Sequence, residues 1–335
     1  MHNFDIPIVF FLFRRAEKSS KIIDQIAKIK PRRIYLIADG PRFPDEESAV
    51  DICRKTVEEH IKWDCEIIKN YSKKNRGVYQ NIAGGAKWVF EREQKAIFLE
   101  DDNFPDISFF PYCKELLQKY ENDTRILWIC GTNYLRKTEP ADGSDYFFTK
   151  LMLPCGWASW SNKFNRFYDG EIQLFRDNTI KSKIKKEYKN GLLFEHDYTP
   201  WLKIIKDIDT GKQPNSWDYQ MAFAIRANNL FGIAPKYNLI RNIGADSDSI
   251  HGGVSLENIM TNRFCEVPTY EMTFPLKHPP ALLVDSSLEN KIEKIIILPL
   301  KYRLKGKIIS IIKRILGISQ EKSLSEELKS KYLRK

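Results

Sequence analysis

The chain has 335 residues, of which 42% are hydrophobic, 13% aromatic and 29% charged, with 16 glycines and 16 prolines; this excludes a mini-protein, a disordered chain and a collagen-like chain. The longest apolar runs, such as Ile8 to Phe13 and Ile295 to Leu298, fall far short of the roughly 20 residues that span a bilayer. Of the formal net charge of +10, nearly all sits at one end: Lys291 to Lys335 holds 13 Lys/Arg against 4 Asp/Glu, unlike the evenly basic surface of a DNA-binding domain.

In chain order, a strand at Ile6 to Phe13, a helix near Ala16 to Ile29, a strand at Arg33 to Ala38, a helix near Glu46 to Ile61 and a strand at Cys65 to Lys69 predict a βαβαβ start. A loop rich in Asn and Lys (Asn70 to Gly77) then leads to a helix ending at Glu91, the strand Lys95 to Leu99, a helix at Ser108 to Tyr120 and a strand at Arg125 to Cys130. Such alternation predicts an α/β, Rossmann-like, mainly parallel sheet flanked by helices, whose ligands sit at the carboxyl ends of the strands. Residues 131 to 275 are less regular, with turns rich in Trp and Gly and helices near Tyr198 to Asp209 and Trp217 to Asn228. We read residues 1–275 as one catalytic domain and 276–335 as a basic tail. The six cysteines are scattered without C-x-x-C or zinc-like spacing, which predicts reduced core thiols. Asp5 before the first apolar run and Arg14-Arg15 after it reverse the charge order of a signal peptide, so a cytoplasmic protein is expected.

The sharpest feature is the strand Lys95 to Leu99 running directly into Glu100-Asp101-Asp102. Three adjacent carboxylates repel one another, and they become favourable together when a divalent cation and hydrogen-bond donors sit among them. A solvated loop or helix cap is the plainer alternative. An earlier strand also ends in an acid, Asp39 of Asp39-Gly40-Pro41, and the first strand ends in Phe13-Arg14-Arg15. Neighbouring parallel strands would bring Arg14, Asp39 and the triplet to one edge, with charges suited to a nucleotide diphosphate and its metal.

With these residues in view, the chain resembles glycosyltransferases of the GT-A fold, specifically bacterial polysaccharide enzymes similar to N-acetylglucosaminyltransferase I. The likeness is carried by Pro7 to Arg14, Ile34 to Gly40, Ile97 to Tyr112, and the pairs Gly156-Trp157 and Trp217-Asp218. The resemblance implies a metal-dependent inverting transfer from a nucleotide diphosphate sugar, a UDP-sugar by the family's example, to a glycan or lipid-linked acceptor in surface polysaccharide synthesis. It casts Asp102 as the Mn²⁺ (or Mg²⁺) ligand, Glu100 and Asp101 as contacts to uridine, ribose or sugar, and Arg14 and Asp39 as nucleotide contacts. Asp218 takes the role of general base, and His251 lies in a loop over the donor. In the helix before the triplet, Gly77 to Asn81 lacks the family's histidine. Trp157 and Trp160 fit either an acceptor platform or the core.

On a helical wheel, Leu304 to Ile318 gathers its Leu and Ile residues on one half, with Lys307, Ser310, Lys313 and Arg314 on the other. This is the pattern of an interfacial helix. It predicts peripheral attachment to the anionic inner face of the plasma membrane and no nucleic-acid partner; packing on protein is the alternative. Three rival readings stand beside the inverting transferase: a retaining GT-A transferase, which needs no base at Asp218; a sugar nucleotidyltransferase, which carries a glycine-rich loop after the first strand; and a membrane-binding adaptor on a decayed GT-A fold. No glycine precedes Gly40, and the acids are intact.

Overall fold

Short runs of apolar residues make the buried strands β1 (Ile8–Leu12), β2 (Arg33–Ala38) and β4 (Lys95–Glu100), and β3 (Glu66–Tyr71) closes one edge. After β5 (Asn103–Pro105) come β6 (Ile126–Cys130), β7 (Tyr146–Thr149), β8 (Trp157–Trp160), β9 (Phe231–Pro235) and β10 (Ile240–Asn242). Eight of them form a single sheet in the order β3-β2-β1-β4-β8-β6-β9-β7, while β10 and β5 pair separately. β1 to β4 pair in parallel, as do β6 and β9; β8 is antiparallel to both of its neighbours and β7 to β9. This computed structural model describes residues 4–245 and 259–319. Its large, mostly parallel sheet flanked by helices is consistent with the expected Rossmann-like GT-A class.

The helices cover the sheet through stripes spaced three to four residues apart. Helix Ala16–Ile29 buries Ser19, Ile22, Ile23 and Ile26, and Glu47–His60 buries Val50, Cys53 and Val57. Helix Phe109–Lys119 buries Phe109, Phe110, Tyr112, Cys113, Leu116 and Leu117, which join the strands in one extended core. Helix Asp218–Ala227 is buried on every side from Gln220 to Arg226, which is why its sequence shows little polar face. The chain divides into two compact units, Met1–Lys291 and Ile292–Lys335.

Several elements differ from the sequence expectation. β8 lies in the stretch whose sequence shows no regular element, yet it is a central strand, since four residues buried on both faces carry no alternation to read. Helix Gly191–Asp209 starts seven residues before the expected Tyr198 and passes through Pro200. Asn190 caps it by accepting from the Leu192 amide. All six cysteines are free; Cys53, Cys113, Cys130 and Cys265 are buried and Cys65 and Cys155 partly so.

Candidate active site at the carboxyl edge

The register of the parallel strands fixes where the candidate residues meet. Leu12 pairs with Ala38 and Phe11 with Glu100, so the ends of β2, β1 and β4 lie side by side and deliver Asp39, the Arg14-Arg15 doublet and Glu100-Asp101-Asp102 to one edge. The chain then turns into β5, which pairs with β10, and the Ile243 amide donates to the Asp102 carbonyl at 2.8 Å.

The triplet is largely withdrawn from water. The Asp101 side chain is 13% exposed and that of Asp102 22%. Nη1 of Arg15 lies 3.3 Å from Asp101 Oδ1 and 3.4 Å from Asp102 Oδ2. The other oxygen of Asp102 accepts from Asn103 Nδ2 at 2.6 Å, and buried Asn103 accepts from the Gly156 amide at 2.8 Å. Burial, then the charges of Asp102, Asp101 and Asp218, push the Glu100 carboxyl well above the usual range. Burial carries Asp101 up to about 6 against the pull of Arg15. Asp102 is also raised by burial, with Arg15 and Lys18 opposing. An all-oxygen donor set whose charges oppose one another in a low-dielectric setting suits a hard divalent ion such as Mg²⁺ or Mn²⁺. Among the described residues, no group of three or more His, Cys, Asp or Glu side chains is arranged to hold a metal ion by itself. An ion at the triplet would therefore draw further oxygens from a ligand or water.

Asp39 has a different environment. Its Oδ1 accepts from the amides of Gly40 (2.8 Å) and Arg76 (2.7 Å), and its Oδ2 from the Gly77 amide (3.1 Å) and Asn75 Nδ2 (3.0 Å). Arg76, in turn, donates to the side chains of Asn70 and Asn81 and to the Ala38 carbonyl. Asp39 thus ties the loop Asn70–Gly77 down beside the edge, and burial, opposed by these donors, raises its pKa. Arg14 is likewise engaged, 2.9 Å from Glu46, whose pKa falls to about 2 chiefly through its hydrogen bond to Arg42.

Asp218 opens helix Asp218–Ala227 and is half-buried. A stack of aromatic rings ties it to the triplet: Phe98, two residues before Glu100, lies 3.8 Å from Trp157, and Trp157 is 5.6 Å from Trp217, the residue before Asp218. Tyr168 donates from its hydroxyl to the Trp217 carbonyl at 3.0 Å, and Trp201 donates to the Tyr219 carbonyl at 2.8 Å. The backbone is therefore held on both sides of the acid. Its charge bears on Glu100, Tyr134 and Tyr168.

Of the two readings open for the tryptophans, the core one holds. Trp157 and Trp160 are each 1% exposed; Trp157 is packed between Phe98 and Trp128, and Trp160 donates to the Leu117 carbonyl at 3.0 Å. Neither ring has a face open to a sugar. His251 and its loop lie outside the described residues. Just before that loop, Asn242 accepts from the Gly244 amide at 2.8 Å, and its side chain meets the sulfurs of Cys155 and Cys265. A methyl group on Gly244 would stand 2.6 Å from Asp102 Oδ2, so the loop backbone passes against the acid and a side chain there would push the carboxylate aside. Sequence reading missed Arg15, Asn103 and Arg76. Their signals were the second residue of an arginine doublet at a helix start, the amide following the triplet, and an arginine in a loop otherwise read as lysine-rich.

No family model matches the sequence, and no curated protein matches it. Its likeness to solved structures is distant. The mannosyltransferase PcManGT from Pyrobaculum calidifontis, in complex with GDP-Man and Mn²⁺, is 13% identical over 68% of this chain and 70% of its own, with a TM-score of 0.38. A UDP-glucose pyrophosphorylase complexed with UDP-glucose is 11% identical over 77% of this chain and 97% of its own, with a TM-score of 0.37. The glycosyltransferase GlyE of Streptococcus pneumoniae TIGR4 is 12% identical over 89% of this chain and 65% of its own, with a TM-score of 0.31. At this distance the likeness carries no functional weight.

Proposed function

We propose that the protein is a metal-dependent inverting glycosyltransferase, of the hexosyltransferase class, that moves a sugar from a nucleotide diphosphate donor, a UDP-sugar, to a glycan or lipid-linked acceptor in bacterial surface polysaccharide synthesis. The observation that carries this reading is the desolvated carboxylate triplet at the end of β4, joined through the Phe98–Trp157–Trp217 stack to a second acid, Asp218, on a buried helix. Asp102 would hold Mn²⁺ or Mg²⁺, with Glu100 and Asp101 beside it toward the donor. When bound, the ion supplies charge neutralisation to the leaving diphosphate. Asp218 takes the proton of the acceptor hydroxyl as that oxygen bonds to the anomeric carbon. The bond from that carbon to the diphosphate breaks, and its electron pair departs with the diphosphate. One displacement from the opposite face inverts the centre. Asp39 shapes the nucleotide wall by fixing the Asn70–Gly77 loop, and Arg14 would act from its place on Glu46.

The join between β1 and the following helix favours transfer over nucleotidyl chemistry. β1 ends at Leu12 and the helix begins at Ala16, leaving three residues, none of them glycine, where a triphosphate-cradling loop would have to fit. The test is a screen of nucleotide sugars for Mn²⁺-dependent turnover, with the anomeric configuration of the product read by NMR. A UDP-sugar transferred with inversion is the expected result. Retention would remove Asp218 from its role, and formation of a nucleotide sugar from a nucleoside triphosphate would replace the reading altogether.

We further propose that helix Leu300–Ile315 is a membrane-surface address. Among the described residues no helix is long and apolar enough to cross a membrane. Leu304, Ile308, Ile311 and Ile315 form an exposed stripe with Lys305, Lys307 and Arg314 around it, matching acyl chains and anionic headgroups. Ile308→Asp combined with Ile315→Asp should release the protein from phosphatidylglycerol vesicles in sedimentation; unchanged pelleting would refute the address.

A further inference from the structure

The carboxyl edge carries a tyrosine that neither the ion nor the base accounts for. β4 and β6 are both antiparallel to β8, and Trp157 pairs with Phe98 on one side and Cys130 on the other. The carboxyl end of β6 therefore emerges level with that of β4, and Tyr134 lies in the loop that follows. Its backbone is fixed: the Asn133 amide donates to Asn238 Oδ1 at 2.9 Å, and the Leu135 amide to Asn133 Oδ1 at 3.0 Å. The half-buried ring packs edge-on against Phe264, centroids 4.9 Å apart. Cys265, next in the chain, donates to Asn242 Oδ1 at 3.4 Å, the oxygen that also accepts from the Gly244 amide beside Asp102. Burial, then Cys155, Cys130, Asp218 and Cys265, push the Tyr134 hydroxyl well above its usual pKa, so it stays protonated and can both donate and accept. Within the described residues it makes no hydrogen bond. Asp218 acts on it directly, and its neighbour Cys155 is raised by burial, then by Asp102, with Glu100 adding to them. Tyr134 is thus close to the base and to the triplet at once.

An in-line displacement sets the sugar ring between the leaving diphosphate, which belongs to the triplet, and the base on the opposite face of the anomeric carbon. A hydroxyl close to both flanks that ring. From this placement, and resting on the reading of the edge as a nucleotide-sugar site, we propose that Tyr134 is a donor-specificity residue whose hydroxyl hydrogen-bonds one ring hydroxyl of the transferred sugar. Asn133 and Phe264 hold it in place before the donor arrives, so little ordering is spent on binding. A donor lacking that one hydroxyl leaves the Tyr134 hydroxyl unpaired under the sugar, and this is what rejects it.

Calorimetry at saturating Mn²⁺ tests this on the wild type and Tyr134→Phe, which removes the hydroxyl and keeps the ring. The ligands are UDP alone, the UDP-sugar that the donor screen selects, and the monodeoxy analogues of that UDP-sugar. The wild type should bind one monodeoxy analogue about tenfold more weakly than the full donor, the scale of one hydrogen bond with its partner left unpaired. Tyr134→Phe should bind the full donor about tenfold more weakly than the wild type does and should no longer tell it from that analogue. Its affinity for UDP alone should stay within about twofold, because UDP carries no transferred sugar. A loss that falls equally on UDP and on every donor would make Tyr134 a structural residue and overturn the proposal. So would a Tyr134→Phe protein that discriminates among the analogues as the wild type does, or a wild type that discriminates against none. Should Tyr134→Phe not fold, Phe264→Leu decides in its place: it frees the ring, and a narrower gap at one deoxy position supports the contact while an unchanged gap refutes it. A wild type that binds neither UDP nor any nucleotide sugar would instead overturn the functional reading beneath the proposal.

Discussion

Asp39 and Asp102 are the same residue type on the same sheet edge, one strand apart on either side of β1, and they live in opposite circumstances. Asp39 accepts four hydrogen bonds, three of them from backbone amides, so its charge is used up in holding a loop. Asp102 has one side-chain amide and a shared arginine nitrogen, with Glu100 and Asp101 crowding beside it. A carboxylate with its lone pairs filled by the chain is architecture. One left short of donors among like charges is waiting for a ligand, because an unrelieved buried charge cluster costs stability that only binding returns.

Substitutions at the two sites should part company, and the largest effect is expected at the triplet. Asp102→Asn should lower Mn²⁺-dependent transfer by about a thousandfold or more, the scale of losing charge stabilisation of the leaving group, while raising the melting temperature of the metal-free protein by relieving repulsion. Asp218→Asn should cut turnover by about 10²- to 10⁴-fold, as for a lost general base, with donor binding by calorimetry unchanged; wild-type turnover would end its assignment. Asp39→Asn should show the reverse pattern to Asp102→Asn: about 2 kcal/mol lost in urea unfolding, because an NH₂ group now faces amide donors. If Asp39→Asn kept full stability, the contrast between clamp and ligand site would dissolve.

Much of the fold was readable because periodicity records burial on one face. The helix Ala16–Ile29 and the strand Arg33–Ala38 have the bounds read from the sequence. The parallel order β3-β2-β1-β4 explains why the ends of three runs far apart in sequence converge. Reading failed where no face alternates: β8, Trp157–Trp160, is buried throughout and no strand is read there from the sequence. At the edge, composition named the acids but could not say which arginine of a doublet turns inward, since that follows from where the helix begins. Nor could it tell that Asp39 is saturated, because three of its four donors, the Asn75 side chain and the Arg76 and Gly77 amides, come from a loop some thirty-five residues later.

Two smaller effects sharpen the same contrast. Gly244→Ala would press a methyl group to 2.6 Å from Asp102 Oδ2 and 2.9 Å from Asn242 Oδ1. It should weaken Mn²⁺ binding by about tenfold at a cost of about 1–2 kcal/mol in stability, and unchanged Mn²⁺ binding would mean the loop backbone does not bear on the acid. The pH dependence follows from the raised carboxyls. Asp101 titrates near 6 in the folded protein against 3.8 ordinarily, so between those values the folded state holds more protons than the unfolded one. Its contribution to stability is complete below about pH 4 and lost as pH rises through about 6, while Mn²⁺ affinity climbs over the same window. Asp39, raised more weakly against its four donors, should add no metal-sensitive step to that profile, which thermal melts with and without Mn²⁺ would reveal.

The function proposed for the edge turns on the triplet at the end of β4 binding a divalent ion under a nucleotide diphosphate. Its most direct test is thermal unfolding of the wild type and Asp102→Asn at pH 7 with Mn²⁺ alone, with nucleotide sugar alone and with both. Mn²⁺ and a UDP-sugar together should raise the wild-type midpoint by more than the sum of their separate effects, and Asp102→Asn should lose this gain. An equal gain in both proteins, or none in the wild type with any nucleotide sugar, would contradict it.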